Sequence, residues 1–92
     1  MKYYVYIIES EVDGRYYYGQ TSDPEKRLHE HNTGRSGYTS KYVPWNLKAL
    51  KEFPTRSLAL KTERMLKNLH SKQRVEDFMV RHGFQKVIGP EK

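Results

Sequence analysis

The sequence predicts an α+β fold: a small three-stranded antiparallel sheet flanked by helices, in the order β-β-α-β-α-α. Three observations carry this. Two runs rich in tyrosine and β-branched residues near the start are joined by Val12-Asp13-Gly14, a turn signal. A third run of strand character covers residues 45–53. Three further stretches each open on a capping residue, and the last two carry apolar residues at helical period.

Residues 3–9 read as the first strand, with no breaker among them. Asp13-Gly14 readily supplies the positive φ that hairpins need. Residues 15–20 return as the second strand, so two triplets, Tyr4-Val5-Tyr6 and Tyr17-Tyr18-Gly19, lie side by side. Ser22-Asp23-Pro24-Glu25 starts a helix, with Ser22 or Asp23 as cap and Pro24 in the first turn, where no donor is needed. It runs to about residue 31 and ends at Asn32-Thr33-Gly34. Residues 35–44 are polar and irregular, with room for one short helical turn. In the third strand, Leu47, Ala49 and Lys51 are expected on one side, Lys48, Leu50 and Glu52 on the other. Pro54-Thr55 opens a long helix capped by Thr55, with an apolar stripe of Leu58, Ala59, Met65, Leu66 and Leu69. Ser71 caps a last helix that sends Val75, Phe78 and Met79 to the core, and Gly83 ends it. Phe84, Val87 and Ile88 follow, and nothing in the pattern decides whether they dock.

A chain of 92 residues is expected to form one domain over residues 1–92, with a thin core. It has no cysteine, which excludes disulfides and thiolate metal sites. Of the histidines, only His29 and His31 are close, and two apart on a helix they face different ways, so zinc is not indicated. No apolar run approaches a membrane span, and the start is too polar beyond Ile8 for a signal peptide. A cytoplasmic protein is expected. The net charge of +6 points to a polyanion such as a nucleic-acid backbone. The plainer alternative is a soluble protein that is merely basic.

Five side chains supply the parts of a one-metal phosphodiester nuclease: Tyr6, Tyr17, Arg27, His31 and Glu63. A phenol beside a cation loses its proton more easily and can then take one from an attacking water. Arg27 and His31 lie four apart and share a helix face. The guanidinium can clamp a phosphate, and the imidazole can hold a phosphate oxygen or help protonate the leaving group. Glu63 stands among Lys61, Arg64 and Lys67. A carboxylate repels a phosphate unless a cation lies between, and Mg²⁺ needs only one or two protein carboxylates. Each residue also has an ordinary reading. Tyrosines pack well in strands, Arg27 and His31 fit a solvated helix face, and Glu63 can pair with Lys67 at helical spacing. Lys26, Arg35, Lys41 and Lys48 are candidate nucleic-acid contacts; Tyr38, Tyr42 and Trp45 lie among them, as suits unpaired bases. Trp45 reads more readily as a core anchor.

Read together, these residues resemble the GIY-YIG nuclease superfamily, and most closely its small stand-alone UPF0213-type members. The triplets Tyr4-Val5-Tyr6 and Tyr17-Tyr18-Gly19 stand in the places of the two that name the family. Gly19-Gln20-Thr21, Lys26-Arg27-Leu28 and His31-Asn32 look like its following helix. Phe53-Pro54-Thr55-Arg56-Ser57 and Ala59-Leu60-Lys61-Thr62-Glu63 look like its later helix entry and acidic motif. Tyr4 and Val5 replace the family's glycine and isoleucine, and Gln20 stands where repair-enzyme relatives carry a lysine near the phosphate, so the resemblance adds Gln20 to the candidate nucleic-acid contacts. The resemblance implies an endonuclease acting on nucleic acid, DNA foremost, with one Mg²⁺ or Mn²⁺. Tyr6 or Tyr17 would activate water, Arg27 would steady the phosphate, His31 would assist, and Glu63 would hold the metal. The alternative is a nucleic-acid-binding or adaptor module on the same fold, with little chemistry.

Overall fold

Strand β1, Tyr3–Ser10, divides the molecule into two layers. Successive side chains point to opposite faces, and Val5, Tyr6, Ile7 and Ile8 are all buried, so both faces are covered. The computed structural model describes residues 1–35 and 37–87, and Ile88 lies outside them. Strands β2 (Tyr16–Thr21) and β3 (Trp45–Phe53) pair antiparallel with β1 on either flank. The turn into β2 places Gly14 at φ 77, in the left-handed region where glycine meets no steric penalty.

The expected three-stranded sheet is corrected by a fourth strand. β4, Gln85–Lys86, pairs antiparallel with Leu50 and Ala49, giving the order β2-β1-β3-β4. The element order is therefore β-β-α-β-α-α-β, with a 3₁₀ helix at Gly37–Tyr42 before β3. Two residues are too few to show alternation, and tertiary context sets this strand. Gly83 turns the chain at φ 71, Phe84 buries beside Phe78, and β4 then falls along β3.

The expected split of β3 is corrected as well. Leu47 pairs with Ile8 and Ala49 with Ile7, with a register shift between Ile7 and Ile8. The irregularity moves Leu47 to the side of Leu50 and Trp45, while Ala49 stays on the other. A bulge of this kind leaves no mark in the apolar pattern.

One layer holds Val5, Ile7, Ala49 and Phe53 under α2 (Arg56–Lys67) and α3 (Lys72–Arg81). Thr55 and Ser71 cap these helices, accepting from the backbone N–H of Leu58 and Arg74. Only part of the α2 stripe reaches the core. Ala59 and Leu66 are fully buried and Leu69 packs beside them, but Leu58 and Met65 are 46% and 39% exposed. A single helix on a narrow sheet buries one line of residues. Glu63 follows Ala59 by four and precedes Leu66 by three, so it flanks that line. The other layer holds Tyr6, Ile8 and Trp45, with Leu28 of α1 (Pro24–Asn32) and Tyr42 and Val43 packed against them. Asp23 caps α1 through the Lys26 N–H at 3.1 Å. The Asn32 side chain fastens α1 to β3: it accepts from the Trp45 N–H at 2.6 Å and donates to the Trp45 carbonyl at 3.0 Å. Trp45, 1% exposed, is a core anchor and presents no face for stacking.

Candidate active site

Register puts the two tyrosines together. Tyr6 pairs with Gly19 and Ile8 with Tyr17, so all four share the face that α1 covers. Gly19 is required by the close approach of a neighbour. A Cβ built there would fall inside the phenol of Tyr6, whose ring crosses the strand at that point.

The Tyr6 hydroxyl lies 2.9 Å from His31 Nε2, and the Arg27 charge acts on it. Burial pushes its pKa up to about 12, against the opposing pull of Arg27. His31 is fully buried, and its Nδ1 lies 2.7 Å from Thr39 Oγ1. The solvated-face reading of α1 therefore does not apply to His31. Tyr17 packs on the edge of the same imidazole, 5.2 Å between centroids, and Tyr38 stacks on Tyr17 at 6.1 Å. Arg27 also pairs with Glu30 at 2.9 Å. It lines a cavity of 340 Å³ together with Thr21, Ser22, Asp23, Lys26 and Glu30.

Glu63 comes from the opposite layer. Its side chain is 16% exposed and pairs with Lys67 at 2.8 Å. That carboxylate beside it holds the Lys67 ammonium above its usual range. The Glu63 charge acts on Tyr6, and Lys67 interacts electrostatically with Tyr17. The acidic helix and the tyrosine face are thus coupled across β2, the edge strand.

The other candidate contacts scatter. Lys26 lines the cavity beside Arg27. Gln20 pairs with Val5, which places it on the α2 side of the sheet. Arg35 is exposed just past α1, and Lys41 is exposed on the 3₁₀ helix. Lys48 lies 4.0 Å from Glu9, a carboxylate that Lys72 also approaches at 3.2 Å. Sequence reasoning missed Thr39, which sits in a segment without periodicity; Tyr38 was read only as a surface for unpaired bases, and it stacks on Tyr17.

His31 gives the site a pH signature. Burial first, and the Arg27 charge second, lower its pKa to about 4. The unfolded imidazole titrates near ~6.5. Stability held above that value is lost as pH falls toward 4, because the unfolded chain then binds the extra proton. The full effect is on the order of 3 kcal/mol. Denaturation midpoints should fall across this window in the parent and fall less in His31→Gln. Equal slopes in the two proteins would contradict a buried neutral His31.

The family model described as the GIY-YIG catalytic domain matches residues 2–76. The chain belongs to the GIY-YIG family. A UPF0213 protein of Halobacterium salinarum is 37% identical over 73 residues, covering 78% of this chain and 94% of that one. One of Enterococcus faecalis is 40% identical over 75 residues, covering 78% and 84%. The solution NMR structure of a UPF0213 protein from Bacillus halodurans aligns with a TM-score of 0.55 at 34% identity, over 87% of this chain and 84% of that one. This GIY-YIG chain is thus similar to small stand-alone members. Membership suggests nuclease activity on a nucleic-acid substrate, and nucleases of the family generally use divalent metals. No helix among the described residues is long and apolar enough to cross a membrane.

The donor set suits a hard cation that keeps its waters. Among the described residues no three His, Asp or Glu side chains gather as a metal cage. Glu63 is a lone, partly exposed carboxylate with a cation already against it. A single carboxylate is enough for a divalent cation that keeps most of its waters.

Proposed function

We propose that this chain is a metal-dependent endonuclease that hydrolyses phosphodiester bonds, DNA foremost. The observation that carries the reading is the gathering of Tyr6, Tyr17, Arg27 and His31 on one sheet face, coupled to Glu63 and Lys67. Tyr17 is the base. It is partly exposed, and among the described residues no hydrogen bond ties its hydroxyl. The Lys67 ammonium interacts electrostatically with it. Tyr6 is a poor base, since its pKa stands near 12 and His31 holds its hydroxyl. Arg27 steadies the scissile phosphate with the donors that Glu30 leaves over. Glu63 holds the metal, and the ion, when bound, supplies a Lewis acid for the phosphate oxygens.

Labelled single- and double-stranded DNA and RNA test this, each incubated with Mg²⁺, with Mn²⁺ and with chelator. Cleavage with metal and none with chelator is expected. One observation favours the alternative, a binding or adaptor module: Lys67 already neutralises Glu63. On that reading nucleic acid binds and no condition cleaves it.

Binding should weaken steeply with salt. Each duplex phosphate neutralised contributes a slope of about −0.9 in log affinity against log salt. Lys26, Arg35 and Lys41 are the proposed contacts beside Arg27, and the net charge of +6 supports several at once. Affinity that stays flat from low to moderate salt would count against a phosphate-binding surface.

A further inference from the structure

Three polar side chains form a line through the core of the tyrosine layer. Tyr6 is 4% exposed, His31 fully buried and Thr39 1% exposed. The links measure 2.9 Å from Tyr6 Oη to His31 Nε2 and 2.7 Å from His31 Nδ1 to Thr39 Oγ1. Among the described residues no buried side-chain nitrogen or oxygen lacks a partner.

A neutral imidazole has one donor nitrogen and one acceptor nitrogen. The direction of the line follows from its far end. The Tyr6 hydroxyl is buried and carries one proton. That proton needs an acceptor, because a buried donor left unpaired is costly. His31 Nε2 is the one within hydrogen-bond distance among the described residues. Nε2 must then be bare and Nδ1 must carry the proton, which Thr39 Oγ1 accepts. Thr39 is itself held in place, because its carbonyl takes the Trp45 Nε1–H at 2.8 Å.

We propose that Thr39 is a positioning residue: it locks His31 as the Nδ1–H tautomer and thereby makes Tyr6 a donor into the fold. Thr39 acts through His31. What this does for catalysis rests on the nuclease reading: Tyr6 keeps its proton, and Tyr17 is left as the base. His31, unprotonated at Nε2, is then no acid for the leaving group.

The test is a long-range ¹H–¹⁵N spectrum of histidine-labelled protein at neutral pH, with His31 assigned by the signals that His31→Gln removes. The parent should show a single fixed tautomer with a slowly exchanging proton on Nδ1. Thr39→Val keeps the shape but removes the acceptor, and should lose that correlation. Thr39→Ser should restore it. If the valine variant does not fold, the parent and serine spectra decide. A proton on Nε2 in the parent, or an unchanged Nδ1–H signal in Thr39→Val, would overturn the proposal. The spectra need no substrate, so a chain that never cleaves leaves this result standing, and a failed tautomer prediction leaves the cleavage question open.

Discussion

Glu63→Gln is expected to abolish cleavage while leaving the fold and nucleic-acid binding in place. The substitution keeps the size of the side chain but removes the charge that attracts Mg²⁺. It also takes a negative charge away from a phosphate site, so binding should hold or tighten slightly. The fold should tolerate the change, because the Glu63–Lys67 pair at 2.8 Å is half in solvent on the lysine side and contributes little. Arg27→Ala should behave differently. It removes a group proposed to touch the substrate, and so should weaken both cleavage and binding. Rates and affinities measured on all three proteins give the contrast. If Glu63→Gln cleaves as well as the parent, Glu63 is only an ion-pair partner and the one-metal account fails.

Gly19→Ala is expected to disable the site by displacing Tyr6. The new methyl group would overlap the hydroxyl and neighbouring ring atoms of that phenol, which must swing away. Overpacking of this kind costs about 1–3 kcal/mol. Loss of the 2.9 Å link to His31 leaves a buried imidazole nitrogen unpaired, a further penalty of about 1–3 kcal/mol. Misplacement on the scale of an ångström typically lowers a rate by about 10²-fold. Denaturant midpoints and single-turnover rates should therefore both fall. The double variant Gly19→Ala/Tyr6→Phe should regain part of the stability, since the hydroxyl meets the methyl group first, but none of the activity. A Gly19→Ala protein with parental stability would show that Tyr6 does not cross the strand there.

Much of the frame was legible because local chemistry and tertiary structure agree. Thr55 and Ser71 cap the helices expected to start there, and the third strand runs over residues 45–53 as read. The hairpin turn and the caps are local signals that no distant contact overrules. Three features were not legible. β4 has two residues and exists only because Phe84 docks. The irregularity opposite Ile7 and Ile8 moves Leu47 across the sheet without changing the composition of the strand. The outward turn of Leu58 and Met65 reflects how narrow the sheet under α2 is, which helical period cannot tell.

The candidate site divides in the same way. That Tyr6 and Tyr17 lie on neighbouring strands could be read from the turn, and that Arg27 and His31 share a helix face from their spacing. The burial of His31 could not be read, because it depends on Thr39, eight residues away in a segment with no pattern. Gln20 was grouped with the phosphate contacts by its place after the second triplet, yet strand alternation puts it on the α2 face with Val5.

Tyr17 is where the account is most exposed. The measurement is the single-turnover cleavage rate of a labelled strand in Mg²⁺, with affinity read on the same samples, for the parent, Tyr17→Phe and Tyr6→Phe. A positioned general base contributes about 10²–10⁴-fold, so Tyr17→Phe should lose that much rate with binding unchanged. Tyr6→Phe should lose rate together with stability, because it breaks the buried line to His31. A parent that cleaves, beside a Tyr17→Phe protein that cleaves just as fast, would contradict the account.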